Sequence, residues 1–250
     1  PSNSRGYPVT HRFPGRALVL YDNTTTREDA GADWGFSALV TFRGETILFD
    51  SGTKPDLLLA HRKVLGDDPP RIGKAVISHA HGGHLNGIFR VFPFHRQMKV
   101  SFLDAFPERA FAQASAAGMT PARVTKPVEI APAVFSTGVV EGNPPEQSLA
   151  VETAGGLVVI TGRSHPGVTR MVEAARRTPG GKPVRLLLGG FHMPRDSEDT
   201  IRRTIARLRA LEVQQVAPTH CIGESAIAAF REAFGKNFRS AGVGQRFRRD

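Results

Sequence analysis

Short apolar runs separated by polar residues characterise the first part of the chain. Residues 17–21, 37–42 and 45–49 are rich in Val, Leu, Ile and Phe, which is typical of buried or half-buried strands. Only Arg43 and Gly44 separate the second run from the third. These two strands are therefore predicted to form a hairpin.

Farther along, the pattern changes to strands that are followed by loops or helices. A first helix is predicted with Thr53 as its N-terminal cap, Pro55 in its first turn and Gly66 at its end. Later apolar runs have the length of buried strands, and they lie at 75–78, 157–161, 184–188 and 213–217. Helices are predicted after the last three strands, at 168–176, 198–211 and 224–234. Strands that alternate with helices are typical of the α/β class.

Histidines follow these strands at their C-terminal ends. His79 comes at the end of the first of the four later strands, and His165, His192 and His220 follow the other three. In α/β sheets, this edge is where binding sites assemble. The placement predicts one shared site at the edge of the sheet.

Three histidines also lie close together in segment 78–84, which reads S-H-A-H-G-G-H. Alternate residues of an extended segment point the same way, so His79 and His81 are placed to bind one ion. His84 follows a Gly-Gly turn and is expected to reach a neighbouring position. Neutral imidazole is a common ligand of zinc, iron, nickel and copper. A surface histidine cluster is the alternative, but the preceding strand and the glycines favour a metal site.

The composition is that of a globular chain of 250 residues, 40% of them hydrophobic and 22% charged. No low-complexity linker divides it, so residues 1–250 are predicted to form a single domain with a loose segment at 1–15. No run of about 18 apolar residues occurs, and no membrane span is expected. Because the chain starts with Pro1, both a cytoplasmic location and export with removal of a signal remain open.

The net charge of +10 results from 33 Lys and Arg residues against 23 Asp and Glu residues. This excess favours anionic partners such as phosphorylated or carboxylated substrates, although a generally basic proteome would explain it equally well. The single cysteine, Cys221, excludes an internal disulfide.

The histidine segment resembles the H-x-H-x-D-H motif of the metallo-β-lactamase superfamily. Similar segments cover nearly the whole chain. They are 20–23 (L-Y-D-N), 35–37 (G-F-S), 48–52 (L-F-D-S-G), 160–167 (I-T-G-R-S-H-P-G), 189–192 (G-G-F-H) and 218–221 (P-T-H-C). The last three resemble a subgroup labelled dihydropterin-aminobenzene-phosphate synthase-like. The label of the subgroup does not by itself imply that this chain has the named activity.

The resemblance implies an αββα four-layer sandwich with metal ions at one edge. It implies zinc as the cofactor, as one or two ions, while iron, manganese and nickel also suit imidazole ligands. The residues that match the family's metal ligands are His79, His81 and His165 for a first ion and His84 and His220 for a second.

Asp50, Arg163 and His192 are predicted to complete the catalytic apparatus. Asp50 would orient a ligand imidazole, with a plain turn-forming role as the alternative. His192 has three candidate roles, as a metal ligand, a substrate contact or a buried polar residue. Gly83 stands where the motif has Asp, and Arg163 stands where the subgroup has Cys. Both changes weaken a second metal site, for which Glu146 is a candidate acidic ligand, while Arg163 suits a phosphate or carboxylate.

The predicted function is hydrolysis of an ester, lactone or phosphoester in an anionic small molecule by a metal-activated water. One alternative is a pseudoenzyme that binds its ligand with one ion or none, because Gly83 removes a ligand. A nucleic-acid-processing hydrolase is a second alternative, which the lack of an aromatic-basic stripe disfavours. Trp34 is a candidate substrate contact in a loop near the N-terminus. A bacterial source is expected, and the oligomeric state is not predicted.

Overall fold

The computed structural model describes residues 15–66, 72–91, 97–179 and 181–247, and the strands form two β-sheets. Of the predicted loose segment, only Gly15 falls within these ranges. The strands are β1 (Arg16–Tyr21), β2 (Ser37–Phe42), β3 (Glu45–Phe49), β4 (Lys74–Val76), β5 (Lys99–Leu103), β6 (Thr120–Val124), β7 (Val128–Ala131), β8 (Val134–Ser136), β9 (Leu149–Thr153), β10 (Gly156–Thr161), β11 (Val184–Gly190), β12 (Gln215–Thr219) and β13 (Arg246–Phe247). The helices are α1 (Pro55–Val64), α2 (Gly82–Leu85), α3 (Ile88–Val91), α4 (Glu108–Ala116), α5 (Val168–Arg176), α6 (Glu198–Ala210) and α7 (Glu224–Phe234).

Each sheet combines an antiparallel part with a parallel part. The first sheet has the order β13-β1-β2-β3-β4-β5-β6, and its strands from β3 to β6 are parallel. The second sheet has the order β12-β11-β10-β9-β8-β7, and β10, β11 and β12 are parallel. Parallel strands end at the same edge of a sheet, so the loops after them gather there.

Helices cover the outer faces of the two sheets. Helices α1 and α4 pack on the first sheet, and α5, α6 and α7 pack on the second. Three apolar layers result, of which one lies between the sheets and one lies under each set of helices. The αββα sandwich predicted by the family resemblance is therefore confirmed. Among the described residues, no helix is long and apolar enough to cross a membrane.

Most strands of the parallel parts are buried on both faces, which explains their continuous apolar sequences. In β3, Leu48 packs towards the helices and Ile47 packs between the sheets. In β10, Val159 packs towards the helices and Val158 packs between the sheets. Alternate residues of one strand thus supply two different apolar layers.

The predicted hairpin is present, whereas the predicted cap of α1 is wrong. Arg43 and Gly44 join β2 to β3 with φ values of 49° and 81°, as a two-residue hairpin turn requires. Lys54, and not Thr53, occupies the cap position of α1, and no side chain caps the helix. The Thr53 hydroxyl instead donates a hydrogen bond to the carbonyl oxygen of Trp34. This contact between distant segments takes the place of the local cap.

The strand predicted at 213–217 begins and ends two residues later, as β12. Val213 lies in the turn after α6, where its N–H donates to the carbonyl of Leu208 at 3.0 Å. Its side chain is buried in the outer apolar layer of the second sheet. Val213 is an apolar residue just before β12, and for this reason the sequence pattern includes it in the predicted strand.

Candidate metal centre

One edge of the two sheets gathers the polar residues that follow the strands. Asp50 directly follows β3, and His79 comes three residues after β4. His165, His192 and His220 follow β10, β11 and β12. Asp50, His192 and His220 leave their strands with positive φ values of 54°, 52° and 61°. This conformation costs energy for residues other than glycine and tends to occur at functional sites.

Three histidines, His79, His81 and His165, form a group that we call the histidine triad. Each offers one ring nitrogen, and these three atoms all lie within 4.8 Å of one another. Nε2 of His79 lies 3.2 Å from Nδ1 of His81. Two nitrogens bound to a tetrahedral zinc ion at about 2.0–2.1 Å lie about 3.3 Å apart. The spacing of the triad therefore fits a single bound metal ion.

Hydrogen bonds fix which nitrogen of the triad faces the centre. Nδ1 of His79 donates to Ser78 Oγ at 2.8 Å, and this hydroxyl donates in turn to Asp50 at 2.8 Å. Nδ1 of His165 donates to Glu146 at 3.0 Å. Burial lowers the pKa of His79 well below its usual value, so its ring is neutral. Nε2 of His79 consequently carries a lone pair, as metal ligation requires, and Nε2 is the nitrogen of His165 that Glu146 leaves available.

Glu146 is a fully buried carboxylate that organises the loop after β10. It accepts hydrogen bonds from the backbone N–H groups of Arg163, Ser164 and His165 at 2.7, 2.9 and 2.9 Å, besides the ring of His165. Burial raises the pKa of Glu146, but these hydrogen bonds outweigh it and hold the pKa below its usual value. Both oxygens are thus engaged behind His165, and the structure places Glu146 as an orienting residue and not as the metal ligand considered from sequence.

Two further histidines, His84 and His220, form what we call the histidine pair. Their Nε2 atoms lie 3.2 Å apart. Nδ1 of His84 contacts Asp50 at 2.7 Å, and Nδ1 of His220 donates to Oδ1 of Asn23 at 2.9 Å. The orientation of the Asn23 amide is set by two backbone contacts, since Nδ2 donates to the carbonyl of His220 and Oδ1 accepts from Gly35. His220 is therefore a neutral ring with a lone pair on Nε2.

Charge is strongly disfavoured around the pair. Burial lowers the pKa of His84 to about 3 and that of His220 to about 2, and it raises the pKa of Asp50 well above its usual value. With Asp50 ionised and accepting from His84, the Nε2 lone pairs of the two rings face each other. With Asp50 protonated, His84 donates directly to His220. The predicted contact between Asp50 and a ligand-type imidazole is present in either form.

Arg163 and His192 lie beside the triad with unsatisfied polar atoms. The Nε atom of Arg163 and the Nδ1 atom of His192 are buried and have no hydrogen-bond partner. The ring centre of His192 lies 4.7 Å from that of His165. Cys221 connects the two loops, because its thiol donates to the carbonyl of Arg163 and accepts from the N–H of His192, both at 3.3 Å. Buried polar atoms without partners mark places where a ligand can bind.

Trp34, which lies in the loop between β1 and β2, covers the centre. Its ring centre lies 4.9 Å from that of His220, and the guanidinium carbon of Arg163 lies 5.3 Å from the Trp34 ring. The indole is 52% exposed, yet two hydrogen bonds fix its loop. The Thr53 hydroxyl donates to the carbonyl oxygen of Trp34, and the N–H of Gly35 donates to Asn23 Oδ1. An exposed aromatic side chain on a rigid loop is suited to contact a ligand, as predicted for Trp34.

Comparison with known proteins supports the fold and the family resemblance. No protein-family model matches the chain. Among solved structures, Tm1679, described as a metal-dependent hydrolase of the β-lactamase superfamily, is 26% identical with a TM-score of 0.77. The match covers 93% of this chain and 98% of that chain. The chain has the metallo-β-lactamase fold, and the resemblance to that superfamily is confirmed.

Two further proteins are similar to this chain, one in its fold and one in its sequence. The metallo-β-lactamase fold protein YhfI from Bacillus subtilis is 14% identical with a TM-score of 0.68, and the match covers 94% of this chain and 100% of that chain. A protein of Methanocaldococcus jannaschii, named 7,8-dihydropterin-6-methyl-4-(beta-D-ribofuranosyl)-aminobenzene-5'-phosphate synthase, is 26% identical over 80% of this chain and 83% of its own length. The predicted resemblance to that subgroup is confirmed. The hydrolases among the structural neighbours support hydrolysis at a coarse level, whereas the substrate and the bacterial source stay predictions.

Within the superfamily fold, Gly162 allows the two sheets to meet closely at the centre. A Cβ atom at this position would lie 2.1 Å from Ser78 Oγ and 2.7 Å from Asp50 Oδ2. Because both atoms are held by hydrogen bonds to the centre, we expect Gly162→Ala to lower the free energy of unfolding by about 3 kcal/mol. Chemical denaturation measures this loss, with Gly73→Ala as the control, since a Cβ there meets no atom within 4 Å. An equal effect of the two variants would contradict the close contact.

Asn23 is a site residue that the sequence did not single out. It follows β1, whose end lies at the same edge as the ends of β3 and β4. Asp22, which precedes it, is also buried and accepts from Thr219 Oγ1 at 2.6 Å. Burial raises the pKa of Asp22 to about 6. The signal in the sequence was the polar pair Asp22 and Asn23 at the end of a buried strand, but no histidine accompanies this pair.

Proposed function

We propose that this protein is a metal-dependent hydrolase that cleaves an ester, lactone or phosphoester bond in an anionic small molecule. The single observation that carries the proposal is a triad of imidazole nitrogens within 4.8 Å of one another, next to a guanidinium with a buried, unpartnered nitrogen. Zinc is the proposed ion because three neutral imidazoles with an open fourth position are its usual catalytic ligands. Iron, manganese and nickel are the alternatives.

The residues of the triad fit this ion by their tautomers as well as by their spacing. His79 and His165 donate through Nδ1 to Ser78 and Glu146, and their Nε2 atoms are free to ligate. When bound, a divalent ion supplies Lewis acidity, which polarises the oxygen under attack and acidifies water. Glu146 and Ser78 keep the ligand rings in place during the reaction, as partners behind metal ligands do in other metalloproteins.

Arg163 and His192 are proposed to act on the substrate directly. The guanidinium of Arg163 offers a planar set of donors that matches a carboxylate or phosphate. Placed beside the triad, it would hold the anionic group and stabilise the negative charge that develops on the reacting oxygens. His192 would donate or accept a hydrogen bond through its unpartnered Nδ1. Trp34 would cover the bound molecule from the exposed side.

We expect Arg163→Gln to weaken turnover of anionic substrates selectively. A suitable pair is mono-4-nitrophenyl succinate and 4-nitrophenyl acetate, which share the scissile ester and differ in one carboxymethyl group. Loss of a charged hydrogen bond should raise KM for the succinate about 10–100-fold, with little change for the acetate. Steady-state kinetics of the zinc-loaded protein measures both values.

Arg170→Gln is the matched control, because it removes an exposed arginine on α5 in the same part of the chain. An equal loss with both esters would show that Arg163 supports the fold and does not bind the anion. If the zinc-loaded native protein hydrolyses neither these esters nor bis(4-nitrophenyl) phosphate nor a lactone, the hydrolase proposal is wrong. The alternative of a ligand-binding pseudoenzyme, which Gly83 favours, would then replace it.

A further inference from the structure

The superfamily resemblance implies a second metal ion beside the first, but this chain does not complete a site for it. The histidine pair offers two nitrogens, 3.2 Å apart. The position of the motif's carboxylate is occupied by Gly83, which has no side-chain donor. Zinc sites in proteins use at least three protein ligands. Within the described ranges, the histidine triad is the one group in which three candidate ligand residues come together.

The two buried carboxylates near the pair are engaged elsewhere. Asp50 accepts from the N–H of Ser78 at 2.6 Å, from its hydroxyl at 2.8 Å and from the ring of His84 at 2.7 Å. Glu146 accepts from three backbone N–H groups and from His165. Either carboxylate would have to release these buried donors in order to bind an ion, which leaves them unsatisfied at a high energetic cost. Neither therefore replaces the missing ligand.

A fixed positive charge lies in the same region. The guanidinium of Arg163 lies over Trp34, whose ring in turn lies against His220. In the part of the chain that the structure describes, no carboxylate forms an ion pair with Arg163. A second cation between the rings of the pair would be repelled by this guanidinium.

We infer that this centre works with one metal ion, held by the histidine triad, and that Arg163 supplies the positive charge that a second ion would otherwise supply. The histidine pair then holds no ion. The inference rests on the proposed function, since it places the anionic group of the substrate between the triad's ion and the guanidinium. It accounts for both departures from the family pattern together, because the chain that lacks the carboxylate at Gly83 carries a cation at Arg163.

The test is the number of zinc ions per chain, measured by elemental analysis and by calorimetric titration. The native protein should bind about one ion. Gly83→Asp alone should also bind about one, because the new carboxylate would pair with Arg163. The double variant Gly83→Asp with Arg163→Gln should bind about two, whereas the control double variant, Gly83→Asp with Arg170→Gln, should stay at one.

The fold has room for the new carboxylate. A Cβ atom at Gly83 would lie 3.3 Å from Cα of Gly35, 3.5 Å from Trp34 and 3.6 Å from Thr53. Only the first of these contacts is tight. Circular dichroism and thermal unfolding check that each variant is folded before its ions are counted.

A second measurement does not depend on any variant at Gly83. Inorganic phosphate should bind the zinc-loaded native protein at least about tenfold more tightly than it binds Arg163→Gln, since a charge-assisted bidentate contact is lost. Unchanged phosphate affinity would overturn the assignment to Arg163. Two tightly bound ions in the native protein would overturn the one-ion inference while leaving the proposed hydrolase intact. No zinc at all, even after zinc is added, would overturn both.

Discussion

His81→Ala should leave the protein folded but unable to retain its metal ion. His81 is the exposed member of the triad, so its loss removes a ligand without leaving a buried cavity. Its Nδ1 lies 3.2 Å from Nε2 of His79, and no other described side chain joins the triad. Loss of a partner behind a ligand costs about 10–100-fold in metal affinity, and loss of the ligand itself should cost more. Ester hydrolysis should fall at least as far.

The measurements are zinc content after dialysis, zinc affinity by competition with a chelator, and hydrolysis of the nitrophenyl esters. His61→Gln is the matched control, because it removes a histidine that contacts the carbonyl of Leu20 away from the centre. This variant should keep its ion and its activity. If His81→Ala retained zinc with native affinity, the triad would not be the metal site, whatever the activity of the variant.

The strand-end arrangement of the centre could be predicted because it depends on local sequence. A buried parallel strand is a continuous apolar run, and the residue after it lies at a known edge of the sheet. His165, His192 and His220 follow such runs, and the structure places all three at one edge. The motif around His79 indicated the family resemblance. That resemblance predicted the four-layer fold, which periodicity alone does not specify.

The middle of the chain was not predicted, and its physical character explains this. Strand β6 lies at the edge of the first sheet, four of its five residues are not buried, and it contains Pro121. Strand β7 lies at the edge of the second sheet and is also largely unburied. Edge strands need neither a continuous apolar run nor every backbone N–H. Their pairing is determined by neighbours that are distant in the chain.

Apart from Asp50, the partners behind the ligands were not predicted from sequence patterns. Asn23 contacts His220, which lies 197 residues away in the sequence. Thr53 donates its hydrogen bond to Trp34 and does not cap the helix. Glu146 was considered as a ligand because its position in the family pattern is acidic. Its actual contacts depend on how the chain before β9 meets the loop after β10, which only the folded structure shows.

Glu146→Gln should therefore destabilise both the fold and the centre. The carboxylate accepts two hydrogen bonds on each oxygen, from the N–H groups of Arg163 and Ser164 on one and from His165 on the other. An amide has one acceptor oxygen, so its NH2 group would face two buried donors. We expect the free energy of unfolding to fall by about 3–5 kcal/mol, as when a buried charge network is broken. Zinc affinity should fall about 10–100-fold, since His165 loses the partner that orients it.

The pH dependence of this loss distinguishes the carboxylate contacts from a general packing defect. The pKa of Glu146 is lowered in the folded protein, so its ionised form contributes stability above the pKa of the unfolded chain, about 4.3, and that contribution is lost as the pH falls through the folded-state pKa. The raised pKa values of Asp22 and Asp50 act in the opposite direction, but they are common to the native protein and to Glu146→Gln and cancel in the difference between the two.

Denaturation at pH 7 and at successively lower pH should show the difference in the free energy of unfolding shrinking in acid. Glu141→Gln, at an exposed position nearby, should show no difference at either pH. A constant difference across the series would indicate packing, and no difference at pH 7 would contradict the role of Glu146 in holding the loop.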